Sequence, residues 1–318
     1  MAEGRQLEVA VQSRRGEPLM KVCDKDLQVR GRLLRIAYLD ADGYESLNDP
    51  EAVLGGLRKS GIRSDLFTFM QILPDTSPKY DYPMEWDNLA VLRVSTFDHW
   101  WTRQIRSLAR NRARQAEKKG VTFREVPFDD ALVQGIWEVY NECPVRQGRR
   151  YRHYGMDLQT VHKVEATYLE SSIFIGAFLG DKLIGFVKLT SDEPGTAAHL
   201  INIVSMIQHR DKAPTNALIA HAVRSCAERG IPYLVYSTFA YGKKQRDSLS
   251  DFKERNGFRR VDLPRYYVPL TRLGSVAFRL GLHKGLVDLV PEPVATKIRD
   301  LRKAWYDRRF HGSATQAF

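Results

Sequence analysis

The sequence predicts a mixed α/β (α+β) protein with a mostly antiparallel sheet flanked by helices. Short segments with strand patterning alternate with helical segments over most of the 318 residues. Three successive strands are predicted at SIFIGAFLG, DKLIGFVKLTS and AAHLINIVSMI, and the Gly180-Asp181 step is typical of a tight turn between antiparallel strands. A helix is predicted over 214–229, because Pro214 stands in its first turn and Gly230 follows its end.

Residues 1–97 are predicted to form a small α/β unit of their own. Strands are expected in RGRLLRIAYL, SDLFTFMQIL and NLAVLRV, and a helix in DPEAVLGGLRKSG. The stretch Pro74 to Pro83 contains three prolines and is typical of a loop. This first segment contains no motif that points to chemistry.

Residues 98–270 are predicted to form a second unit. One helix is expected from Asp98, a plausible N-cap, to Gly120, followed by a strand at VTFREV, helices over 129–141 and 156–170, and the strands named above. A basic turn, RQGRRYRHYG, separates those two helices. The unit is predicted to end with the strand PYLVYSTF, a short helix over 247–256 and the strand FRRVDLPRYYVPL. Residues 271–318 are expected to form a basic tail of two helices.

Most of the net charge of +11 lies in two segments. Residues 98–120 carry seven Lys or Arg against two acidic residues, and residues 271–318 carry nine against four, which gives +5 in each. Such segments attract phosphates, nucleic acid or anionic lipid, although a charged run is also typical of a solvated helix face. For the tail, docking on the body of the protein and contact with a membrane surface or partner both stay open.

The sequence predicts a cytoplasmic protein with reduced thiols. The three cysteines are far apart and show no CxxC spacing, which favours neither a disulfide framework nor a zinc site, and the eight histidines show no metal-ligand spacing. No apolar run approaches the roughly 20 residues needed to cross a bilayer, and the N-terminus has no secretion signal. A peripheral position at the inner face of the membrane is the alternative location.

Three segments within residues 98–270 read RNRARQAEKKGV, KAPTNALIAHAVRSCAERG and SLSDFKERNGF. They resemble the GNAT acyltransferase superfamily, and more closely the Fem-type (FemAB-like) aminoacyltransferases and their uncharacterised relatives. The resemblance implies a GNAT-like fold in which residues 1–97 are a degenerate first copy. It also implies amide formation by transfer of an acyl or aminoacyl group to an amine, on a small molecule or a glycan of cell-envelope or polysaccharide biosynthesis.

The resemblance also implies where the acyl donor binds. In GNAT proteins two central strands splay apart and free backbone N–H groups for the donor, and Ser205 and Met206 fall at that place. The helix that follows normally begins in an R-x-x-G-x-G loop that holds a pyrophosphate. Here the loop, from Arg210 to Thr215, lacks both glycines, and Pro214 has no N–H to donate. The donor-binding candidates are Ser205, Met206, Arg210, Lys212, Thr215 and Asn216.

The altered loop leaves two donors open. Acyl-coenzyme A is expected as a cosubstrate with no tightly bound cofactor, and aminoacyl-tRNA competes with it because the same departure is usual in Fem-type proteins. A catalytically inactive GNAT-like module that holds RNA or anionic membrane through its basic helices is the alternative function.

The predicted catalytic residues are Lys253, Phe252 and Tyr236. By resemblance, the Phe-Lys pair lies at the reaction centre, with Lys253 stabilising an oxyanion and Phe252 shaping the pocket. Tyr236 follows a strand that borders the cleft, and Glu165 and His199 are further acid or base candidates. The basic turn RQGRRYRHYG combines guanidinium groups, which bind carboxylates and phosphates, with aromatic rings, and this suits an anionic acceptor or the end of a tRNA. The acceptor-binding candidates are Arg146, Arg149, Arg150, Tyr151 and Tyr241.

Overall fold

The computed structural model describes residues 20–40, 42–146, 149–192, 194–240 and 248–284, together with positions 297 and 301. The chain divides into two compact units, the first formed by residues up to 87 and 262–285, and the second by the remainder. The predicted divisions after residues 97 and 270 therefore lie away from the observed boundaries. The reason is that β5 (Met84–Arg93) and β13 (Arg259–Pro269) each have residues in both units.

The first unit is a sheet with two helices. Its strands are β1 (Met20–Val22), β2 (Lys25–Arg30), β3 (Ile36–Leu39), β4 (Leu66–Met70) and part of β13, in the order β1-β2-β3-β4-β13. Neighbouring strands are antiparallel except for the parallel pair β3 and β4. Helix α1 (Pro50–Lys59) begins at an N-cap, Asp49, whose side chain accepts the Ala52 N–H, and α8 spans Arg272–Arg279. Apolar residues such as Leu27, Leu54 and Phe67 form its core.

The second unit is a larger sheet flanked by helices. Its strands are β5, β6 (Val121–Val126), β9 (Ser172–Leu179), β10 (Lys182–Ser191), β11 (Ala197–Ser205) and β12 (Tyr233–Thr238), in the order β5-β12-β11-β10-β9-β6. Its helices are α2 (Phe97–His99), α3 (Ser107–Lys118), α4 (Asp130–Asn141), α5 (Leu158–Glu165), α6 (Pro214–Glu228) and α7 (Ser248–Arg255). The predicted antiparallel meander is confirmed by the pairing of β9, β10 and β11.

The predicted continuous helix over 98–120 is wrong. Thr96 is the N-cap of α2, a wider π-helical turn follows over Trp100–Gln104, and α3 begins at Ser107. The indole N–H of the fully buried Trp100 donates to Asn256 O at 2.9 Å, and the Arg106 N–H donates to Arg255 O at 2.9 Å. These tertiary bonds take the chain out of helical geometry, which apolar spacing alone does not reveal.

The turn between α4 and α5 also contains regular structure. Strands β7 (Val145–Arg146) and β8 (Arg149–Arg150) form a separate two-stranded antiparallel pair. The second of the two predicted tail helices lies outside the described residues, apart from positions 297 and 301.

Candidate active site

Two central strands of the second unit separate at their C-terminal ends. The parallel strands β11 and β12 are in register from Ala197 with Tyr233 to His199 with Val235, and β11 then continues to Ser205 without β12 beside it. Beyond Val235, β12 is irregular, and Ser237 has a φ of 50°. The strands therefore open a gap at the position predicted for the donor.

A cavity of about 600 Å³ occupies this gap. Its walls come from the end of β11, the start of α6, one face of α3, the pair β7 and β8, the end of β12, and α7. The apolar part includes Leu108, Ile203, Pro214 and Phe252. The polar part is dominated by arginines, and no carboxylate side chain lines the cavity among the described residues. The cationic lining residues are Arg112, Arg146, Arg150, Arg210 and Arg255.

Four of these arginines keep their charge available for a ligand. Arg112, Arg150, Arg210 and Arg255 are exposed, and within the described parts of the chain their guanidinium groups have neither an ion pair nor a hydrogen bond. Among the described residues, therefore, no carboxylate pairs with these four charges. An arginine-lined cavity of this kind favours a ligand with several negative charges, such as a series of phosphates.

Arg146 is different because its guanidinium group is held by the protein. It donates to Ser205 O at 2.7 Å and to Val139 O at 3.0 Å, and it lies 3.3 Å from a Glu142 carboxylate oxygen. It also lies over the Tyr151 ring, 4.7 Å from its centroid. Arg146 thus ties the β7–β8 pair to the open end of β11 and shapes the cavity.

The donor-binding candidates are only partly placed as predicted. Ser205, Met206, Arg210, Thr215 and Asn216 line the cavity, whereas Lys212 does not and lies 3.4 Å from Asp211 instead. The Met206 N–H is not free for a donor, since it donates to Ile184 O at 2.8 Å. Asn216 is buried and its side-chain amide donates to Asn256 at 3.2 Å, which joins α6 to α7.

The loop before α6 contains a left-handed residue but no glycine. Ala213 stands at the position of the first missing glycine and adopts a left-handed conformation with a φ of 55°. Its N–H donates to Arg210 O, and the Asn216 N–H donates back to Ala213 O, so neither points at a ligand. Thr215 Oγ1 lies 2.8 Å from Ser205 Oγ. The loop therefore offers few backbone donors for a pyrophosphate.

Of the predicted catalytic residues, Tyr236 and Phe252 line the cavity and Lys253 does not. Lys253 is fully buried, its Nζ donates to Thr238 O, and Nζ lies 4.8 Å from the centroid of the Tyr236 ring. The prediction put this ammonium group beside the reaction centre. In the structure the side chain packs between α7 and β12, where it contacts the Tyr236 ring and the Thr238 carbonyl. Lys253 therefore contacts a lining residue instead of the cavity.

The acceptor-binding candidates divide in the same way. Arg146, Arg150 and Tyr151 line the cavity, and Arg149 is exposed on β8 away from it. Tyr241 lies outside the described residues. Sequence reasoning missed Arg112 and Arg255 as lining residues, although helical spacing places Arg112 on the same side of α3 as Leu108 and Ala109.

A buried polar cluster lies next to Tyr151. Glu165 is 0% exposed, and its Oε1 accepts from Tyr140 Oη at 2.7 Å and from Asn202 Nδ2 at 2.9 Å. The His153 ring stacks on Tyr140 with centroids 4.3 Å apart, and burial, with Arg152 and Arg146 nearby, lowers the pKa of His153 to about 4. Burial also raises the pKa of the Tyr151 phenol.

The two further acid or base candidates have internal positions. Glu165 belongs to the buried cluster just described, and His199 lies at the last position of β11 that pairs with β12, where it is buried. One carboxylate oxygen of Glu165 thus accepts hydrogen bonds from the protein.

The residues that the structure describes contain no group of three or more His, Cys, Asp or Glu able to hold a metal ion. Within the same residues, no helix has the length and hydropathy to span a membrane.

Comparison with known proteins identifies the fold. No protein-family model and no curated protein sequence matches the chain. The structure of L-PGS from Bacillus licheniformis matches 83% of this chain and 88% of that chain at 13% identity and a TM-score of 0.58. FemX matches with 80% of this chain and 86% of that chain, 11% identity and a TM-score of 0.56. The C-terminal domain of a protein described as a lysylphosphatidylglycerol synthetase, from Agrobacterium fabrum, matches 83% of this chain and 87% of that chain at 13% identity and a TM-score of 0.56.

The chain therefore has a GNAT-like fold in its Fem-type form. At these identities the similarity shows the fold alone.

Proposed function

We propose that the protein is an acyltransferase that forms an amide bond in the arginine-lined cavity. One observation supports the proposal above all. The gap between the separated ends of β11 and β12 is lined by four arginines that have no partner in the described chain. A cavity of about 600 Å³ is large enough to enclose a reacting group. That enclosure supports an enzyme over a module that binds RNA only on its surface.

The proposed donor is an aminoacyl ester of RNA. The loop before α6 supplies few backbone N–H groups, which weakens the case for a coenzyme A pyrophosphate. The positive charge comes instead from the side chains of Arg112, Arg150, Arg210 and Arg255, which lie on four different elements around the cavity. Charges spread in this way suit an extended polyanion better than one compact pyrophosphate. The proteins of similar fold include FemX and L-PGS, and this choice is consistent with the Fem-type form of the fold. Acyl-coenzyme A is the competing donor.

The proposed reaction is nucleophilic attack of an acceptor amine on the donor carbonyl. A C–N bond forms, the bond from the carbonyl carbon to the ribose oxygen breaks, and the proton lost by the amine is balanced by the proton gained by the ribose hydroxyl. Tyr236 is the proposed hydrogen-bond donor to the oxyanion or leaving oxygen, because its side chain lines the cavity. Phe252 is proposed to shape the pocket.

Lys253 is proposed as a positioning residue. Its ammonium group lies against the Tyr236 ring and bonds the Thr238 carbonyl, so it fixes the end of β12. The proposed acceptor is an amine on a small molecule or glycan, with cell-envelope or polysaccharide biosynthesis as the setting. The proposed location is the cytoplasm, with membrane contact through the C-terminal section 271–318.

Ligand-dependent thermal stability distinguishes the donors. A ligand that binds only the folded protein raises the melting temperature, by an amount that grows with its concentration over Kd. An aminoacyl-RNA minihelix is expected to raise it saturably, and Arg210→Ala is expected to weaken the shift. Arg259→Ala is the matched control, because Arg259 is exposed and lies outside the cavity lining. A saturable shift with acetyl-coenzyme A and none with RNA would establish the competing donor.

A further inference from the structure

Two separate segments of the first unit meet at one end of its sheet. Arg30 at the end of β2 pairs with Ile36 at the start of β3, Ile36 pairs with Leu66 at the start of β4, and Leu66 pairs with Pro269 at the end of β13. The turn 31–35 and helix α8 therefore leave the sheet at the same end. This surface, formed by residues 31–35 and 271–280, is called the sheet-end surface below.

Asp65 fixes both segments to this end. Its carboxylate accepts the Arg35 N–H at 2.9 Å and the Thr271 hydroxyl at 2.9 Å, and its carbonyl accepts the Leu270 N–H at 2.8 Å. Helix α8 packs closely here, since a Cβ added to Gly274 would stand 1.9 Å from Asp65 O. Asp65 thus joins the turn 31–35 to the start of α8.

The sheet-end surface exposes large apolar side chains. Leu33 is 92% exposed at the tip of the turn. On α8 and its C-cap the exposed fractions are 51% for Leu273, 51% for Val276 and 65% for Leu280. The last three are spaced i, i+3 and i+7, so they share one helix face, while Gly274 and Ala277 face the protein. Exposed apolar residues that share a helix face indicate a contact surface.

The charge around these side chains identifies the partner. Residues 61–65 lead into β4 at the same end of the sheet. Together with 31–35 and 271–280 they contain five arginines, Arg32, Arg35, Arg63, Arg272 and Arg279, against one acidic residue, Asp65, whose carboxylate accepts two hydrogen bonds. An apolar face bordered by arginines matches the boundary between acyl chains and anionic headgroups.

Other occupants fit the charge less well. A symmetric dimer would place the same patch on both sides of the interface, so arginines would face arginines. The remaining C-terminal section, 285–318, carries six Lys or Arg against four acidic residues and is itself basic. We infer that the sheet-end surface docks the protein on an anionic phospholipid bilayer, with Leu33 and the exposed face of α8 inserted at the headgroup level.

Vesicle flotation of the full chain tests this inference. The wild type is expected to float with vesicles that contain about 30% phosphatidylglycerol at low salt, more weakly in high salt, and not with neutral phosphatidylcholine vesicles, because surface charge attraction is screened. The double variant Leu33→Ser, Leu280→Ser is expected to bind at least about tenfold more weakly, since both leucines lose contact with the acyl region. Arg32→Gln with Arg272→Gln is expected to lower binding by about fivefold per arginine on anionic vesicles.

The matched control is Leu158→Ser, which removes a 42% exposed leucine from the second unit and is expected to bind as the wild type does. Because Leu33 and Leu280 are exposed, an unchanged melting temperature is expected for the double variant and shows that it folds. Equal vesicle binding by the double variant and the wild type would overturn the inference. So would a wild-type dimer that the double variant splits into monomers in the absence of vesicle binding, which would assign the surface to a second copy.

Discussion

Removing one cavity arginine is expected to change the salt dependence of RNA binding by a definite amount. Arg112, Arg150, Arg210 and Arg255 line the cavity without a partner in the described chain. If each meets one phosphate of a single-stranded RNA end, the slope of log K against log salt is about −0.7 × 4, or about −2.8. Arg255→Ala should make it about 0.7 shallower, and the double variant Arg210→Ala, Arg255→Ala about 1.4 shallower.

The same substitutions should leave the fold intact. Both side chains are exposed and unpaired in the described chain, so the free energy of unfolding should change by no more than about 0.5 kcal/mol. The affinity at fixed salt should fall by about 1 kcal/mol per arginine, or about fivefold in Kd. A drop in affinity without a drop in melting temperature would place the effect in the ligand contact.

Fluorescence anisotropy with a labelled RNA stem that ends in a single-stranded 3′ tail measures these slopes. A salt series from about 50 to about 300 mM covers the range in which counterion release changes the affinity measurably. Arg259→Ala serves as the control for charge alone, since Arg259 is exposed outside the cavity. The reasoning is refuted if Arg255→Ala and Arg259→Ala have equal slopes and equal Kd values, because the cavity would then hold no phosphate near Arg255.

Three further changes test the site and its support. Burial lowers the pKa of His153 to about 4 from its usual 6.5, so the unfolded chain binds a proton that the folded protein does not. The free energy of unfolding therefore falls as the pH drops from about 6.5 toward 4. Urea unfolding at about pH 7.5 and about pH 4.5 should show that this fall is about 2.5 kcal/mol smaller in His153→Phe than in the wild type. Arg265→Leu removes the guanidinium group that lies 2.8 Å from Asp42 and 3.0 Å from Asp87. Chemical denaturation should show a free energy of unfolding lower by about 3 kcal/mol, and a decrease below about 1 kcal/mol would show that the two ion pairs are dispensable. Tyr236→Phe should lower the rate constant of acyl transfer by about 10²-fold with little change in donor Kd, and an unchanged rate would remove Tyr236 from the mechanism.

The sequence is informative about the sheet because strands and turns carry local signals. The meander over β9, β10 and β11 follows from alternating apolar runs and the Gly180 turn, and α6 follows from Pro214 and Gly230. The break between α2 and α3 carries no such signal. It depends on bonds from Trp100 and Arg106 to residues more than a hundred positions away in the chain.

The cavity could be anticipated from the sequence in part, but its charges could not. The resemblance predicts donor binding near Ser205 and Thr215, and both residues line the cavity. The convergence of Arg112 and Arg255 with Arg210 depends on how three helical elements pack, which the sequence does not encode locally. The absence of Lys253 from the described lining has a related reason, because the position of a residue on α7 does not show whether its side chain enters the cavity or packs against the end of β12.

Single-turnover transfer from a radiolabelled aminoacyl-RNA to a set of small amines and amino sugars measures the proposed reaction itself. We expect amine-dependent loss of the RNA ester with formation of an equal amount of amide, slowed in Tyr236→Phe and in the variant with both Arg210→Ala and Arg255→Ala. Tight RNA binding with no transfer from any aminoacyl-RNA or acyl-coenzyme A donor would contradict it and would make the cavity a binding site without catalysis.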